Sequence, residues 1–257
     1  MNIIIITGAS SGIGKEFALQ MDSCFSNIDE FWLIARSEKK LKETAMLLSH
    51  KARVIPMDVT DSSQLDNLED MLIEHYAIVR ILINCAGFGL MGHLSEQSVE
   101  SALSMIRLNC EALTEITHRM IPYMQRNSRI IQLASSAAFL PQPDFAVYAA
   151  TKSYVLSFSR ALNEELKSLG IIVTSVCPGP VDTPFFDIAE KNGSTLAIKK
   201  YVMASPHKVV AQALRDSYFR HAVSVYSLPI KSLHVLSKVI PHGIILNVMN
   251  LMKRKGM

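Results

Sequence analysis

Tyr148-Ala149-Ala150-Thr151-Lys152 places a phenol and an ammonium four residues apart. On a helix that spacing sets both side chains on one face, one turn from each other. A cation beside a phenol favours the tyrosinate and draws its pKa down from about 10 toward the working range. A tyrosine tuned in this way exchanges the proton of a carbonyl/alcohol pair. The same spacing is also common on solvated helix faces, so its meaning depends on the residues around it.

A second group lies near the start of the chain. Thr7-Gly8-Ala9-Ser10-Ser11-Gly12-Ile13-Gly14 follows an apolar run, and Lys15 to Met21 after it has a helical pattern. Gly8, Gly12 and Gly14 suit three tasks: a tight turn, close approach of backbone to a pyrophosphate, and close packing of helix on strand. The new helix would offer free N–H groups and a positive dipole end to the phosphates, with Ser10, Ser11 and Ile13 completing the cradle. Its spacing is GxxxGxG, not the commoner GxGxxG. An ordinary tight strand–helix turn is the plainer alternative. Arg36 follows the second apolar run, and no acid occupies positions 33–36. An acid there would bond a ribose 2′-hydroxyl, whereas an arginine accommodates a 2′-phosphate, so NADP(H) is expected over NAD(H). The competing reading is a solvated arginine that opens a helix. Asp58, followed by Val59, stands after the third run, where its carboxylate can receive an adenine amino group.

These residues need a scaffold, and periodicity supplies one. Apolar runs stand at Asn2–Thr7, Phe31–Ala35, Ala52–Met57, Arg80–Asn84, Arg129–Ala134, Ile171–Val176 and Ala222–Tyr226. Each is short and apolar on both faces, as in strands of a parallel sheet covered by helices. Glu38–Ser49, Ser62–His75 and Val99–Met124 are long enough for crossover helices between them. The alternation predicts a Rossmann-type, doubly wound α/β sheet with right-handed crossovers. With no linker and no internal repeat, residues 1–226 read as one domain, to which 227–257 are appended.

Composition removes several classes. The chain has 257 residues, 49% apolar and 19% charged, with a net charge of +3. Disorder is excluded as its overall state. The charge is uneven: Asp216 is the last acid, so residues 1–216 carry 20 − 23 = −3 and residues 217–257 carry +6. The acidic body is a poor nucleic-acid surface. No apolar stretch reaches the roughly 18 residues of a membrane span, and the run Ile3–Ile6 is too short for a signal-peptide core. Cys24, Cys85, Cys110 and Cys177 lack metal-ligand spacing, so no metal site is expected. They read as reduced, mostly buried thiols of a cytoplasmic protein.

Across residues 1 to about 226 the chain resembles the short-chain dehydrogenase/reductase family. The resemblance rests on TGASSGIG at 7–14, Asn84-Cys85-Ala86-Gly87, Asn109, Ser135 with Tyr148 and Lys152, and Pro178-Gly179 through Thr183, all in the family's order. Cys85 departs from the usual NNAG. Ser135 is taken in preference to Ser136 because the family's serine precedes its tyrosine by about thirteen residues. The resemblance implies that Tyr148 is the general acid in reduction and the base in oxidation. It implies that Lys152 holds the nicotinamide ribose and lowers the tyrosine pKa, and that Ser135 orients the substrate carbonyl. Asn109 would anchor a relay water. Asn84, Ala86, Gly87, Pro178, Gly179, Val181 and Thr183 would line the cofactor, with Thr183 on the carboxamide. A homodimer or homotetramer through helices near 99–124 and 149–168 is also implied.

The expected substrate mouth carries Phe88, Leu90, Met91, Phe139, Leu140, Phe145, Phe185, Phe186 and Met203. This favours an apolar carbonyl or alcohol, such as a steroid, bile acid or acyl ketone, with Ser135, Tyr148, Phe88, Phe145 and Phe185 in contact; several of these are equally suited to the core. Residues 184–204 are expected to form a lid with a flexible point at Gly193. From Leu228 to Met252 the chain is apolar, Pro241 should split it into two short helices, and Lys253-Arg254-Lys255 follow. It would cap the cleft, join a second subunit, or anchor residues 228–255 on anionic lipid. Two functional rivals are a non-catalytic NADP-sensing regulator and a membrane-recruited protein that works through its tail.

Overall fold

The computed structural model describes residues 1–189 and 203–247. Seven parallel strands form one sheet in the order β3-β2-β1-β4-β5-β6-β7. They are β1 (Asn2–Thr7), β2 (Glu30–Ala35), β3 (Ala52–Pro56), β4 (Ile78–Asn84), β5 (Arg129–Leu133), β6 (Ile172–Val176) and β7 (Val223–Ser224). The order reverses between β1 and β4, which opens a crevice beyond their carboxyl ends. This is the Rossmann-type doubly wound sheet that the alternation predicts.

Both faces of the sheet are buried, which explains the uninterrupted apolar runs. Along β1, Ile3 and Ile5 pack in one core while Ile4 and Ile6 pack in the other, and all four are fully buried. Each contributes about 2 kcal/mol of transfer free energy. Helices α3 (Ser62–Glu74), α5 (Leu113–Met120) and α6 (Ala146–Glu165) cover the first face. Helices α1 (Gly12–Cys24), α2 (Glu38–Ala45) and α8 (Pro206–Tyr218) cover the second.

Three elements differ from the periodicity. The 38–49 helix stops at Ala45 because the Asp22 carboxylate, reaching from α1, accepts the backbone N–H groups of Ser49 and His50 at 2.9 Å each. The expected single helix over 99–124 is α4 (Val99–Ile106), a π-helical turn (Arg107–Ala112), α5, and a closing 3-10 turn. The wide turn coincides with Asn109, whose side chain bonds outside its own helix. Finally, Cys24 is exposed, and only Cys177 of the four thiols is fully buried. A position at the end of α1, next to solvent, accounts for the exception.

Helix α7 (Phe185–Ala189) begins the expected lid; Met91 N–H donates to the Ala189 carbonyl at 2.9 Å, and Val181 pairs with Ala204. Gly193 and most of that segment lie outside the described residues. Helix α9 (Leu228–Val239) ends before Pro241, and helix resumes at His242. Lys253-Arg254-Lys255 also lie outside the described residues. Among the described residues no helix is long and apolar enough to cross a membrane.

Candidate active site

The glycine-rich turn stands at the mouth of the crevice, and its geometry requires glycine. Gly8 has φ of +68°, and a Cβ there would lie 2.9 Å from the Ala86 nitrogen. A Cβ on Gly14 would lie 2.3 Å from the Gly8 carbonyl oxygen. The first turn of α1 carries no acid, and Ser11 at its N-cap makes no side-chain capping bond. Backbone N–H groups with a positive dipole end therefore face the crevice uncompensated. A cradle that admits no Cβ and offers unpaired N–H donors fits the diphosphate of a dinucleotide. Ser10 and Ile13 line this turn, and Thr183 comes within 3.3 Å of a Cβ placed on Gly12. The loop of Pro178, Gly179 and Val181 is thereby brought to the same crevice.

Arg36 is exposed just beyond β2, with no hydrogen bond or ion pair among the described residues. Its guanidinium is free for an anion. Asp58 is more occupied: its carboxylate accepts from Thr60 N–H at 3.0 Å and from the Thr60 hydroxyl at 2.7 Å. Val59 beside it is buried. Thr7 on β1 accepts the backbone N–H groups of both Cys85 and Ala86 at 3.1 Å, joining the ends of β1 and β4. Asn84 points elsewhere. Its amide nitrogen donates to Thr117 at 2.9 Å and Gln132 at 3.0 Å inside the core, and its Oδ1 is buried without a hydrogen-bond partner among the described residues.

Helix α6 presents Tyr148 and Lys152 on its buried face, as the four-residue spacing predicts. The Lys152 ammonium lies 5.7 Å from the Tyr148 ring centre and donates to the Leu133 carbonyl at 2.7 Å. Gly87 passes close to it: a Cβ there would meet Asn109 Oδ1 at 2.8 Å and Lys152 Nζ at 3.5 Å. Ser135 caps the short 3-10 turn Ser136–Phe139, accepting from Ala137 N–H at 3.1 Å, and its hydroxyl is near enough to the Tyr148 phenol to favour the tyrosinate. Asn109 is fully buried; it donates to the Phe88 carbonyl (2.8 Å) and to Thr151 (3.1 Å), and accepts from Phe88 N–H (3.1 Å). These bonds fasten the 87–89 loop to α6 and account for the wide turn, a feature that recurs at functional sites.

Electrostatics differ from expectation at the tyrosine. Burial pushes Tyr148 up to about 12, and the Ser135 hydroxyl offsets only part of this. Burial likewise pulls Lys152 down to about 8, opposed by the thiols of Cys85, Cys110 and Cys177. Spacing alone pointed to a phenol lowered by the lysine; burial instead sets the direction, because desolvation penalises the charged form of both groups.

The surroundings are aromatic. Phe145 stacks on Tyr148 with ring centres 4.2 Å apart and planes at 22°, and Phe185 tilts against it at 5.4 Å. Met91, Met105, Phe88, Leu90 and Phe186 extend the same cluster. Phe145 and Phe185 thus converge on the phenol, and Phe88 packs against the same cluster. Motif reading missed Gly89, where a Cβ would lie 2.6 Å from the Tyr148 ring. It assigned no role to Thr7 or Thr151, which hydrogen-bond distant segments. The spacing of Gly87-Phe88-Gly89 was the available signal for the first of these.

Residues 2–193 match the short chain dehydrogenase family. An uncharacterized oxidoreductase of Staphylococcus epidermidis is 35% identical over 184 residues, 71% of this chain and 79% of the relative. Another, from Staphylococcus haemolyticus, is 34% identical over 194 residues, 74% of this chain and 83% of the relative. A short-chain dehydrogenase from Sphingobium yanoikuyae in complex with NADPH superposes with a TM-score of 0.78 at 27% identity, covering 98% of this chain and 96% of that one. A short chain dehydrogenase/reductase from Burkholderia phymatum in complex with NAD gives 0.80 at 22% identity, over 91% and 92%; at that identity the likeness is one of fold. With the glycine cradle, Ser135, Tyr148 and Lys152 around one crevice and most of the chain matched, this protein belongs to the short chain dehydrogenase family of oxidoreductases.

Proposed function

We propose that the protein is an NADP(H)-dependent oxidoreductase that interconverts a ketone and a secondary alcohol on an apolar substrate of the steroid, bile acid or acyl ketone class. The observation that carries this reading is the phenol of Tyr148, packed against Phe145 and Phe185 with the Ser135 hydroxyl nearby. An apolar ketone would place its oxygen on two hydroxyls and its carbon framework against rings. A sugar would leave its hydroxyls unpaired there, at a cost of about 1–3 kcal/mol each.

A bound nicotinamide dinucleotide supplies or accepts the hydride. The glycine cradle and the N-terminus of α1 would hold its diphosphate, Arg36 its 2′-phosphate, and Asp58, Val59, Ala86, Gly87, Pro178, Gly179, Val181 and Thr183 its remaining parts. Ser135 orients the carbonyl oxygen. Tyr148 Oη donates a proton to that oxygen in reduction and receives it back in oxidation. Lys152 stabilises the tyrosinate left behind. The Asn109 side chain is spent on Phe88 and Thr151, so its main chain is what a relay water would use. Oligomerisation through α4, α5 and α6 fits the exposure of Val99, Leu103, Ile106 and Tyr154 and a groove of about 850 Å³ beside them.

The test is kcat/KM for a panel of apolar ketones and sugars, with NADPH and with NADH. NADPH and the apolar ketones should be preferred. Arg36→Asp should lower kcat/KM with NADPH by about 10- to 100-fold, the worth of a charged hydrogen bond, and spare NADH. A wild-type preference for NADH overturns the role given to Arg36.

The pH profile has its own sign. Lys152 is a cation below about 8 and neutral above it, whereas Tyr148, at about 12, keeps its proton throughout. Ketone reduction should therefore decline as pH rises through about 8, approaching tenfold per unit. A flat profile from pH 6 to 10 removes the lysine charge from the mechanism.

A further inference from the structure

Helix α9 is apolar on two sides, and only one is covered. On its inner side Ile230 rests against Gly179, with side-chain atoms 2.8 and 2.9 Å from where a glycine Cβ would be. Leu233 and Ile245 join the cluster of Phe139, Leu140, Val155 and Cys177, and His234 stacks on Phe139 at 4.3 Å. These contacts fix the helix on the body and determine which way its other side looks. That side carries Leu228, Val235 and Val239, at i, i+7 and i+11, which form one stripe along a helix. They are 78%, 62% and 75% exposed. Leu236 and, past Pro241, Ile244 are exposed beside them. Single exposed apolar residues are ordinary; a stripe in register on a helix already anchored by its opposite face is not.

The charges on the segment that carries the stripe are of one sign. Lys231 and Lys238, seven residues apart, flank it on the same shoulder, and both are exposed. No acid occurs anywhere from residue 217 to 257, while the sequence beyond the described residues adds Lys253, Arg254 and Lys255. A symmetric contact with a second copy would bring Lys231 and Lys238 toward their own equivalents, with no carboxylate on the segment to pair them. A bilayer surface containing anionic lipid satisfies both features. The apolar side chains enter the acyl boundary, and the lysine stems lie along it while their ammonium groups reach lipid phosphates.

We propose that the outer face of α9, formed by Leu228, Val235 and Val239 with Lys231 and Lys238 beside them, docks the protein on an anionic lipid surface. The helix lies in the interface and does not span it, and its inner face keeps the contact one helix diameter from the Gly179 and Phe139 loops. This placement is independent of the substrate and cofactor proposed above.

The test is co-sedimentation of the full chain with vesicles of phosphatidylcholine alone and of phosphatidylcholine with phosphatidylglycerol, with sedimentation velocity in the absence of lipid. The wild type should bind the anionic vesicles, weakly bind the neutral ones, and lose binding as salt is raised. Val235→Glu/Val239→Glu and, separately, Lys231→Glu/Lys238→Glu should each lower the partition coefficient about tenfold or more, with thermal midpoint and sedimentation coefficient unchanged. The substituted side chains are exposed, so the fold has no reason to fail. Equal binding of wild type and both variants, or no binding to anionic vesicles, overturns the proposal. So does a fall in the mass of either variant without lipid, which would make the stripe a subunit contact.

Discussion

Replacing Tyr148 by phenylalanine is expected to lower kcat for ketone reduction by about 10³-fold, within the range that general acid catalysis contributes. The substitution removes one oxygen and leaves the ring. The stack on Phe145 at 4.2 Å and the contact with Phe185 at 5.4 Å persist, so the fold should hold. Dinucleotide affinity, followed by the fluorescence of bound NADPH, should stay within a few-fold of wild type. The pairing of lost turnover with retained binding is the signature; activity within tenfold of wild type would remove the phenol from the chemistry.

Gly14→Ala should act at the opposite end of the site and more broadly. Its new methyl would sit 2.3 Å from the Gly8 carbonyl oxygen and 2.8 Å from the Gly8 carbonyl carbon. Backbone cannot swing aside as a flexible side chain can, and Gly8 is itself so confined that a Cβ on it would meet Cys85 and Ala86 at 2.9 Å. Helix α1 would have to move off β1, a disturbance costing about 3 kcal/mol, with at least about 100-fold weaker dinucleotide binding as the cradle opens. Gly243→Ala is the matched control, since nothing lies within 4 Å of its added Cβ. Thermal denaturation and NADPH titration of the three proteins check both effects. Unchanged binding in Gly14→Ala would show that the cradle does not hold the dinucleotide.

Much of the fold was legible because the sheet is buried on both faces. Strand β1 was marked to the residue by its isoleucines, and all the other strands by runs of the same kind. What escaped periodicity was set by contacts distant in sequence. Nothing near Ser49 announces that Asp22 will take its N–H, and nothing near Asn109 announces Phe88 and Thr151. In the site, residue types and spacing located the phenol, the ammonium and the glycines. The sign of the Tyr148 shift was not legible, because it depends on how much water the surrounding rings exclude. The tail was ambiguous for a related reason: a helix apolar on two sides does not declare which side is inward. Ile230 and Leu233 turned in, and Leu228 and Leu236, grouped with them by hydropathy, turned out.

The Thr7 hydroxyl has a mechanical consequence. It accepts two backbone N–H groups of the neighbouring strand end, from Cys85 and Ala86, while it is itself buried on β1. Sliding β1 against β4 would break both bonds together. The two halves of the fold are therefore tied together at their seam. The far rim is built differently, from Phe185 and Phe186 on the five-residue helix α7, whose rings meet edge to face with centres 5.5 Å apart.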